Sequence, residues 1–375
     1  MKIAILTHPL GTNYGGILQN YALQHVLKQM GHTPVTFDYQ FRSSWKTKIL
    51  SMVKRLCLCL RGKNVPIRVW TTKKESAFIS QNTRRFINEH INVTEPFLID
   101  ELNRQNHANI DAIVVGSDQV WRGKHPEVSR FFLCDFEKTD VLKIAYAASF
   151  GVDYWEFSDE ETKKCRMLIK QFKAISVREQ GGVNLCEKNL LVTPQLVLDP
   201  TLLLTSSDYE RLVGKRCSFE PACNYLMTYV LDKTLDKQNI IDKTSMILGL
   251  HDKKTVMAND YFSEVGCSNI ANCIYPPVES WIQGFMNAKF VVTDSFHGTV
   301  FSIIFHKPFI AIANKNRGTD RFVSLLTMLG LKDRLVESER DLDSVIYQAI
   351  DYNLVDEKLE KMKCFSLKFL KDNLQ

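Results

Sequence analysis

The feature that most constrains the fold is a short apolar segment followed by a glycine-rich loop, a helical pattern and a second apolar segment. Residues 2–7 predict a strand, and the loop at 8–16 contains three glycines and an asparagine. A helical pattern then runs to Gly31, and residues 35–39 predict the next strand. This order is typical of a doubly wound α/β domain, whose site lies at the carboxyl ends of its strands. The glycine spacing is not GxGxxG, so no dinucleotide fingerprint is present.

The same pattern recurs along the chain, and the apolar runs end in small or polar residues. Further strands are predicted at 111–115, 144–148, 174–177, 225–230, 290–293 and 309–313, with helices at 161–172, 236–248, 278–287 and from 342 onward. We therefore predict an α/β protein with two Rossmann-like domains facing a cleft. The predicted boundaries are 1–205 for the N-terminal domain, 206–340 for the C-terminal domain and 341–375 for a helical tail.

The composition is consistent with the prediction of a two-domain globular protein. At about 150 residues per domain, 375 residues suggest two domains. The apolar content of 45% and charged content of 24% are ordinary globular values and exclude disordered or collagen-like chains. No apolar run is long enough to span a membrane, and residues 1–8 do not form a secretion signal. We therefore expect a cytoplasmic protein. Ten cysteines without a CxxC pair suggest neither a zinc site nor a disulfide framework.

Charge is concentrated in one segment. Residues 41–85 contain twelve Lys or Arg and one acidic residue, Glu75, whereas the whole chain has a net charge of +6. Apolar residues recur there at helical spacing, namely Trp45, Ile49, Met52, Val53, Leu56 and Leu60. This pattern fits either an amphipathic helix on an anionic bilayer or a core-packing helix with a solvated basic face. The first alternative predicts peripheral membrane contact through 41–63 at the inner face of the cytoplasmic membrane. Nucleic acid is not predicted, because Trp45 and Trp70 do not interleave with the cations.

His297 is the strongest candidate for chemistry. It follows a predicted strand and opens a helix, beside Asp294 and Ser295. A helix amino terminus suits phosphate or carboxylate, and an imidazole there can exchange a proton near neutral pH. The alternative is a packed or hydrogen-bonded histidine. His8, also at a strand end, is a weaker candidate.

Charged residues at other strand ends are further candidates. Arg178 suits bidentate binding of phosphate or carboxylate, or else an ion pair with an acidic neighbour. Asp118 is a general base or a helix cap. The basic residues Lys315, Arg317 and Arg321 either bind an anion across the cleft or lie in a solvated loop.

Five stretches of the sequence carry a resemblance to a known family. They are residues 13–23 (NYGGILQNYAL), 115–121 (VGSDQVW), 176–179 (SVRE), 293–302 (TDSFHGTVFS) and 307–309 (KPF). Taken together and in this order, the chain resembles the polysaccharide pyruvyl transferase family from position 13 to about 330. The resemblance implies a GT-B-like fold and transfer of pyruvate from phosphoenolpyruvate onto two hydroxyls of a sugar, as a cyclic ketal. The sugar would belong to a cell-surface or exopolysaccharide precursor, either free or lipid-linked.

The resemblance and the residue patterns together predict a site. The N-terminal domain is the acceptor side and the C-terminal domain the donor side. The predicted catalytic residues are His297 and Asp118; the donor-binding residues are Arg178, Ser295, Gly298, Thr299, Arg317 and Arg321; the acceptor-binding residues are Asn13, Tyr14 and Gly15. The chemistry requires no metal and no cofactor.

The sequence departs from the family at one motif. Much of the family has Arg-Leu-His where this chain has Ser295-Phe296-His297, and Arg317 or Arg321 is expected to compensate. Two other functions stay open at this point. One is a GT-B-like glycosyltransferase with a nucleotide-sugar donor, and the other is a non-catalytic carbohydrate or lipid-carrier binding protein.

Overall fold

The fold is taken from a computed structural model, which describes residues 1–41, 45–104, 109–124, 128, 132–135, 141–214, 224–314 and 318–375. The strands are β1 Lys2–Leu6, β2 Thr33–Thr36, β3 Tyr39–Gln40, β4 Phe97–Leu98, β5 Ala112–Val115, β6 Leu142–Ala148, β7 Ala174–Val177, β8 Gln195–Leu196, β9 Leu226–Tyr229, β10 Lys253–Lys254, β11 Phe290–Thr293, β12 Phe309–Ile312 and β13 Leu335–Val336. The helices are α1 Tyr14–Gln29, α2 Trp45–Leu60, α3 Lys73–Ile79, α4 Gln81–His90, α5 Asp159–Ile169, α6 Gln180–Leu185, α7 Ser206–Val213, α8 Leu235–Leu248, α9 Phe262–Val265, α10 Val278–Met286, α11 Phe296–Ile304, α12 Asp320–Leu329, α13 Leu342–Val345 and α14 Tyr352–Asn373. Among the helices of these described ranges, none has the length and apolar character needed to cross a bilayer.

Two parallel sheets organise the chain. The first has six strands in the order β2-β1-β5-β6-β7-β8, and the second has five in the order β10-β9-β11-β12-β13. The central strands of the first sheet are buried on both faces, which explains their almost continuous apolar sequences. The prediction of an α/β protein with two Rossmann-like halves is confirmed. The sheets lie on either side of the predicted boundary at 205/206, and the boundary itself stays a prediction.

In the described part of the chain, one large hydrophobic cluster spans both halves, whereas two others each lie within a single half. A single cluster of buried side chains contains Ile3 and Val114 from the first sheet as well as Val291 and Phe309 from the second. Helix α14 returns from the second half to pack on the first. There the Ser366 hydroxyl accepts a hydrogen bond of 2.9 Å from the amide of Leu198, and Phe369 packs on Tyr146 with ring centres 6.1 Å apart. The C-terminal helix therefore completes the N-terminal half.

The second predicted strand, 35–39, differs in the structure. The strand ends at Thr36, and the chain leaves the sheet at Asp38, whose amide donates to the Thr94 hydroxyl at 3.0 Å. Tyr39 then begins β3, which pairs with β4 outside the large sheet. Apolar residues alternate with polar ones through this turn, at Val35, Phe37 and Tyr39, so the strand-like pattern alone does not show the break.

Candidate functional site

The carboxyl ends of β1 and β5 face those of β9 and β11, as expected for the ligand side of parallel α/β sheets. A cavity of about 760 Å³ lies between them. It is lined by His8, Thr12, Asn13, Tyr14, Asp118, Gln119 and Arg122 from the first half, and by Tyr229, Leu231, Asp232, Met257, Tyr261, Glu264, Tyr275, Asp294, Ser295, Phe296, His297 and Arg321 from the second. Six of the predicted site residues therefore share one cavity, although they come from opposite halves.

His297 lies in the first turn of α11. Ser295 begins this helix, because its hydroxyl accepts a hydrogen bond of 3.3 Å from the amide of Gly298. The imidazole Nε2 lies 3.7 Å from Asp199 Oδ2 and forms no hydrogen bond with the described residues. The opposite edge of the ring packs on Gly15, where an added Cβ would lie 2.1 Å from Nδ1. Residues of the first half therefore hold the imidazole on two sides.

Asp199 is a site residue that the sequence reasoning missed, because it reads as part of a turn before proline. It is buried after β8 and accepts hydrogen bonds from the hydroxyls of Thr201, at 2.6 Å, and Ser117, at 3.2 Å. It also accepts one of 2.6 Å from Arg178 Nη1. Burial alone would raise the pKa of Asp199, but His297 and Arg178 hold it well below its usual value. Its position directly after an apolar strand is the signal that could have identified it.

Arg178 lies beneath the cavity wall. Its guanidinium binds Asp199 and, at 3.2 Å, Asp118, and it stacks on the ring of Phe296 at 4.9 Å. Burial alone would lower the pKa of Arg178, but the two carboxylates keep it above its ordinary value. In this arrangement the guanidinium orients the carboxylates, and its predicted contact with a donor would require a change in these ion pairs.

Asp118 lines the cavity and follows β5 in the left-handed region, with φ of 71°. Its Oδ1 accepts hydrogen bonds from the amide of Gln119, at 2.8 Å, and from Arg178. No helix begins within residues 116–124, so the helix-cap alternative is wrong. Although burial raises it, the pKa of Asp118 is held well below its usual range, chiefly by Arg178 and His8. The carboxylate is therefore charged at neutral pH.

Arg321, in the first turn of α12, supplies a cation to the cavity wall. Its guanidinium donates to Gln119 Oε1 at 2.7 and 3.1 Å, with the amide in the orientation that satisfies both groups. It stacks on Phe296 at 5.6 Å. Burial, reinforced by the charge of Arg178, lowers the pKa of Arg321 to about 10. A buried cation next to another cation favours an anion. The neighbouring candidates Lys315 and Arg317 lie outside the described residues.

Two predicted donor-binding residues lie behind the wall. Gly298 packs on Thr293, where an added Cβ would lie 2.2 Å from the threonine hydroxyl oxygen. The Thr299 hydroxyl donates to the carbonyl of Ser295 at 3.2 Å. Neither residue lines the cavity, and the structure gives both a role in the first turn of α11. Their contact with a donor stays a prediction.

The predicted acceptor residues connect the two halves. Asn13 is exposed at the start of α1 and lines the cavity. Tyr14 donates from its hydroxyl to the carbonyl of Pro276 at 2.8 Å, and its ring stacks on Trp281 with centres 5.7 Å apart. Burial raises the pKa of Tyr14 well above its usual value, so the phenol stays neutral. His8 also lines the cavity.

Among the described residues, one group of potential metal ligands lies close together. Glu89, His90 and Glu279 offer ligand atoms within 4.8 Å of one another on α4 and α10, and none of them lines the cavity. Arg85 binds both carboxylate oxygens of Glu279, at 2.8 and 3.0 Å, which competes with a cation. The prediction that the reaction needs no metal and no cofactor stays a prediction.

Comparison with known proteins identifies the family. A family model described as polysaccharide pyruvyl transferase matches residues 13–316, which include every cavity-lining segment except His8, Thr12 and Arg321. The chain belongs to the polysaccharide pyruvyl transferase family. No curated protein sequence matches this polysaccharide pyruvyl transferase family member.

Solved structures are similar to this family member over nearly its whole length. UGT89C1 of Arabidopsis thaliana, complexed with UDP-L-rhamnose, has a TM-score of 0.51 at 10% identity and is covered over 97% of its length by 98% of this chain. UDP-GlcNAc 2-epimerase from Neisseria meningitidis, bound to UDP-GlcNAc, has a TM-score of 0.49 at 9% identity over 100% of this chain and 99% of that one. At such identities the likeness to the plant protein concerns the fold alone, which is of the GT-B type.

Proposed function

We propose that this protein transfers the pyruvyl group of phosphoenolpyruvate onto two hydroxyls of a sugar in a cell-surface or exopolysaccharide precursor, forming a cyclic ketal. The observation that carries the proposal is one cavity, lined by the imidazole of His297, the guanidinium of Arg321 and the carboxylate of Asp118. Membership of the polysaccharide pyruvyl transferase family supports the reaction class. The proposed donor is a cytoplasmic metabolite, so we place the protein in the cytoplasm.

The reaction needs one acid and two hydroxyl deprotonations. A proton adds to the methylene carbon of phosphoenolpyruvate, and a sugar hydroxyl oxygen attacks the adjacent cationic carbon and loses its proton. The bond between that carbon and the ester oxygen of the phosphate then breaks, and phosphate leaves with a proton. The second hydroxyl attacks the same carbon and loses its proton, which closes the ring. The two hydroxyl protons balance those gained by the new methyl group and the phosphate.

His297 is the proposed proton donor. Its Nε2 forms no hydrogen bond with the described residues, and the ring borders the cavity. Once protonated, the ring can pair with Asp199, whose carboxylate lies 3.7 Å away. Arg178 positions that carboxylate through its 2.6 Å contact. Proton transfer from a positioned acid contributes about 10²–10⁴-fold to the rate.

Arg321 is the proposed partner of the donor's phosphate or carboxylate. Ser295 lines the same cavity where much of the family carries an arginine, and its hydroxyl is used to cap α11. Phe296 supports the guanidinium of Arg321 from its ring face. In this proposal Arg321 supplies from α12 the positive charge that Ser295 cannot supply from α11.

Asp118 is the proposed partner of the sugar hydroxyls. Because its pKa is held below the usual range, it is a weak base, and a weak base accepts a proton inefficiently near neutral pH. Its contribution is therefore to orient a hydroxyl and to stabilise the cationic carbon. Asn13, exposed at the same cavity, completes the acceptor side.

The test measures phosphate release from phosphoenolpyruvate in the presence of galactosyl and glucosyl acceptors. We expect His297→Ala to lower the rate by about 10²–10⁴-fold. The matched control is His306→Ala, because this exposed histidine pairs with Asp356 away from the cavity. We also expect phosphoenolpyruvate to raise the Tm of the wild type, and Arg321→Ala to abolish that rise, whereas Arg211→Ala, at an exposed arginine, retains it. Equal rates for the His297 and His306 variants would contradict the proposal.

Transfer from a nucleotide-sugar donor is a second candidate function. One observation favours it, namely the shared fold with the plant protein complexed with UDP-L-rhamnose. This function would be supported if nucleoside diphosphates raised the Tm of the protein and phosphoenolpyruvate left it unchanged. The third hypothesis is a non-catalytic carbohydrate or lipid-carrier binding protein. It is based on Ser295, which stands where much of the family has an arginine. Binding of the acceptor without turnover would support it.

A further inference from the structure

Helix α2 presents an apolar face to solvent. None of its residues is buried. Six apolar side chains lie along one stripe, at 41–81% exposure: Trp45, Ile49, Met52, Val53, Leu56 and Leu60. Residues at spacings of three and four share one face of a helix, so the stripe is continuous. The sequence-based alternative of a core-packing helix with a solvated basic face is wrong.

The orientation of this helix is fixed from its other side. Lys48 lies over the ring of Trp70 at 5.8 Å. Arg55 donates to the carbonyl of Pro66 at 3.1 Å, and the Cys59 thiol to that of Val65 at 3.3 Å. Polar groups therefore attach α2 to the following segment. This is the reverse of an ordinary surface helix, whose apolar side faces the core.

The charges beside the stripe indicate what can cover it. Lys46, Lys54, Arg61 and Lys63 are exposed, and residues 41–74 contain no acidic residue. Glu75 ends that stretch, and Arg68 binds its carboxylate at 2.5 and 2.7 Å. A second copy of α2 would bring like charges together, whereas an anionic bilayer offers acyl chains to the stripe and headgroups to the cations.

A second cavity lies beside the segment that follows α2. The segment after α2 contacts the second half, with Arg68 over the ring of Phe262 at 5.3 Å. Phe262, together with Thr71 and Lys73, lines this second cavity of about 910 Å³. The two cavities adjoin, because both are lined by Thr12, Tyr261 and Tyr275. The segment that follows α2 therefore lines a cavity that adjoins the site of His297.

We propose that α2 docks on an anionic lipid surface and that the acceptor sugar is carried on a lipid, reaching the first cavity through the second. The second part rests on the proposed function. The lipid part of such an acceptor would remain in the bilayer beside α2, while its saccharide occupies the adjoining cavities. The aromatic and polar lining of the second cavity, including Tyr39, Phe97, Asp38 and Lys73, suits a saccharide.

Sedimentation with vesicles tests the docking. We expect the wild type to bind vesicles of phosphatidylcholine with phosphatidylglycerol, and to bind pure phosphatidylcholine far less. Replacing Lys46 and Lys54 by Gln should weaken binding to the anionic vesicles about fivefold for each cation, which is equivalent to about 1 kcal/mol each. The control is Lys361→Gln with Lys368→Gln on α14, at exposed lysines. Equal binding by both double variants would overturn the docking.

The apolar stripe is tested separately. Ile49→Asn with Leu56→Asn should abolish vesicle binding without lowering Tm, because both side chains are half exposed in the free protein. Leu235→Asn with Met246→Asn is the control, since these exposed apolar residues lie on α8. If the Ile49 and Leu56 variant instead converted a dimer into a monomer, a second copy would be the partner and the proposal would be overturned.

Activity distinguishes the acceptor proposal from the proposed function. With phosphoenolpyruvate, the stripe variant should lose phosphate release with a galactosyl lipid in anionic vesicles and retain it with methyl galactoside in solution. Equal loss, or none, with both acceptors would overturn the lipid-carried acceptor. If the wild type released no phosphate with either acceptor while still binding vesicles, the proposed function would fail and the docking would stand.

Discussion

At the scale of single residues, the site depends on a contact that crosses the molecule. Gly15 opens α1 in the first half, and His297 opens α11 in the second. Glycine inside a helix costs about 0.5–1 kcal/mol relative to alanine. The close approach of the imidazole explains why glycine is nevertheless suited to this position. The two residues therefore act as one unit, although 281 positions separate them.

Replacing Gly15 by Ala should move the imidazole. The new Cβ would lie 2.1 Å from Nδ1, so either the ring or α1 has to shift. A misplacement of about 1 Å can cost about 100-fold in rate, and we expect a loss of that size in phosphate release. Gly11→Ala is the matched control, because no atom lies within 4 Å of an added Cβ there. Wild-type activity in the Gly15 variant would show that the ring position does not matter.

Sequence alone could predict His297 and Asp118 as candidates, because each follows a strand whose apolar pattern is local. For Arg321 it leaves anion binding and a solvated loop open, and the structure buries this residue in α12. It could not predict the ion pairs that join Asp199, Arg178 and Asp118. These depend on which strand ends become neighbours when the sheet forms, and the chain pattern carries no record of that. The aspartate before proline therefore resembles a turn residue. For Arg178 the sequence leaves a ligand contact and an ion pair with an acidic neighbour open, and the structure shows ion pairs.

At the scale of elements, the contact between α6 and α12 contains a carboxylate whose charged form is destabilised by its surroundings. Asp320 accepts a hydrogen bond of 3.1 Å from the amide of Gly181 in α6. Burial, followed by the charge of Glu179, raises the pKa of Asp320 to about 6. The same helix pair is joined by the amide of Gln180, which donates to the Ser324 hydroxyl at 2.9 Å. We therefore expect the stability of this contact between the halves to depend on pH.

Asp320→Asn should stabilise the protein at neutral pH. Below about pH 4 the carboxyl is protonated in both the folded and unfolded states and contributes nothing. Between about pH 4 and 6 the folded state retains a proton that the unfolded state loses, so stability falls as pH rises, and above about pH 6 the cost is constant. Asn keeps an acceptor for Gly181 and removes the charge. After allowance for solvent screening, we expect the free energy of unfolding of the variant to exceed that of the wild type by about 1 kcal/mol near pH 8 and to equal it near pH 3.

Denaturant unfolding at the two pH values checks this. Asp343→Asn is a suitable control, because this carboxylate of α13 is exposed and pairs with Lys243. An equal gain in the free energy of unfolding at both pH values would show that the cause is not the titration of Asp320.

At the scale of the whole molecule, the two sheets are separate, but a large buried cluster spans both halves. Buried side chains from both sheets and from α14, including Leu370, belong to one cluster. The shared cluster couples the free energies of unfolding of the two halves, since each half buries part of its apolar surface against the other. The two-sheet architecture could be predicted from the repeating strand and helix pattern, whereas the return of α14 could not, because its amphipathic pattern does not specify a partner.

The shared cluster predicts one cooperative unfolding transition. In calorimetry we expect equal calorimetric and van't Hoff enthalpies, despite the two sheets. Leu370→Ala should lower the Tm of that single transition, with a cost of about 2–5 kcal/mol, whereas Leu354→Ala on the exposed part of α14 should change it little. Two resolved transitions, with only one affected by Leu370→Ala, would mean that the halves unfold independently.

The hydrogen bond between Ser366 and Leu198 has a consequence for biosynthesis. As the ribosome extends the chain, the first sheet emerges well before the helix that covers Tyr146 and Leu198. That surface stays exposed to water and to chaperones until translation has passed residue 370. A nascent chain stalled between residues 337 and 351 would contain every described strand of both sheets and still lack α14.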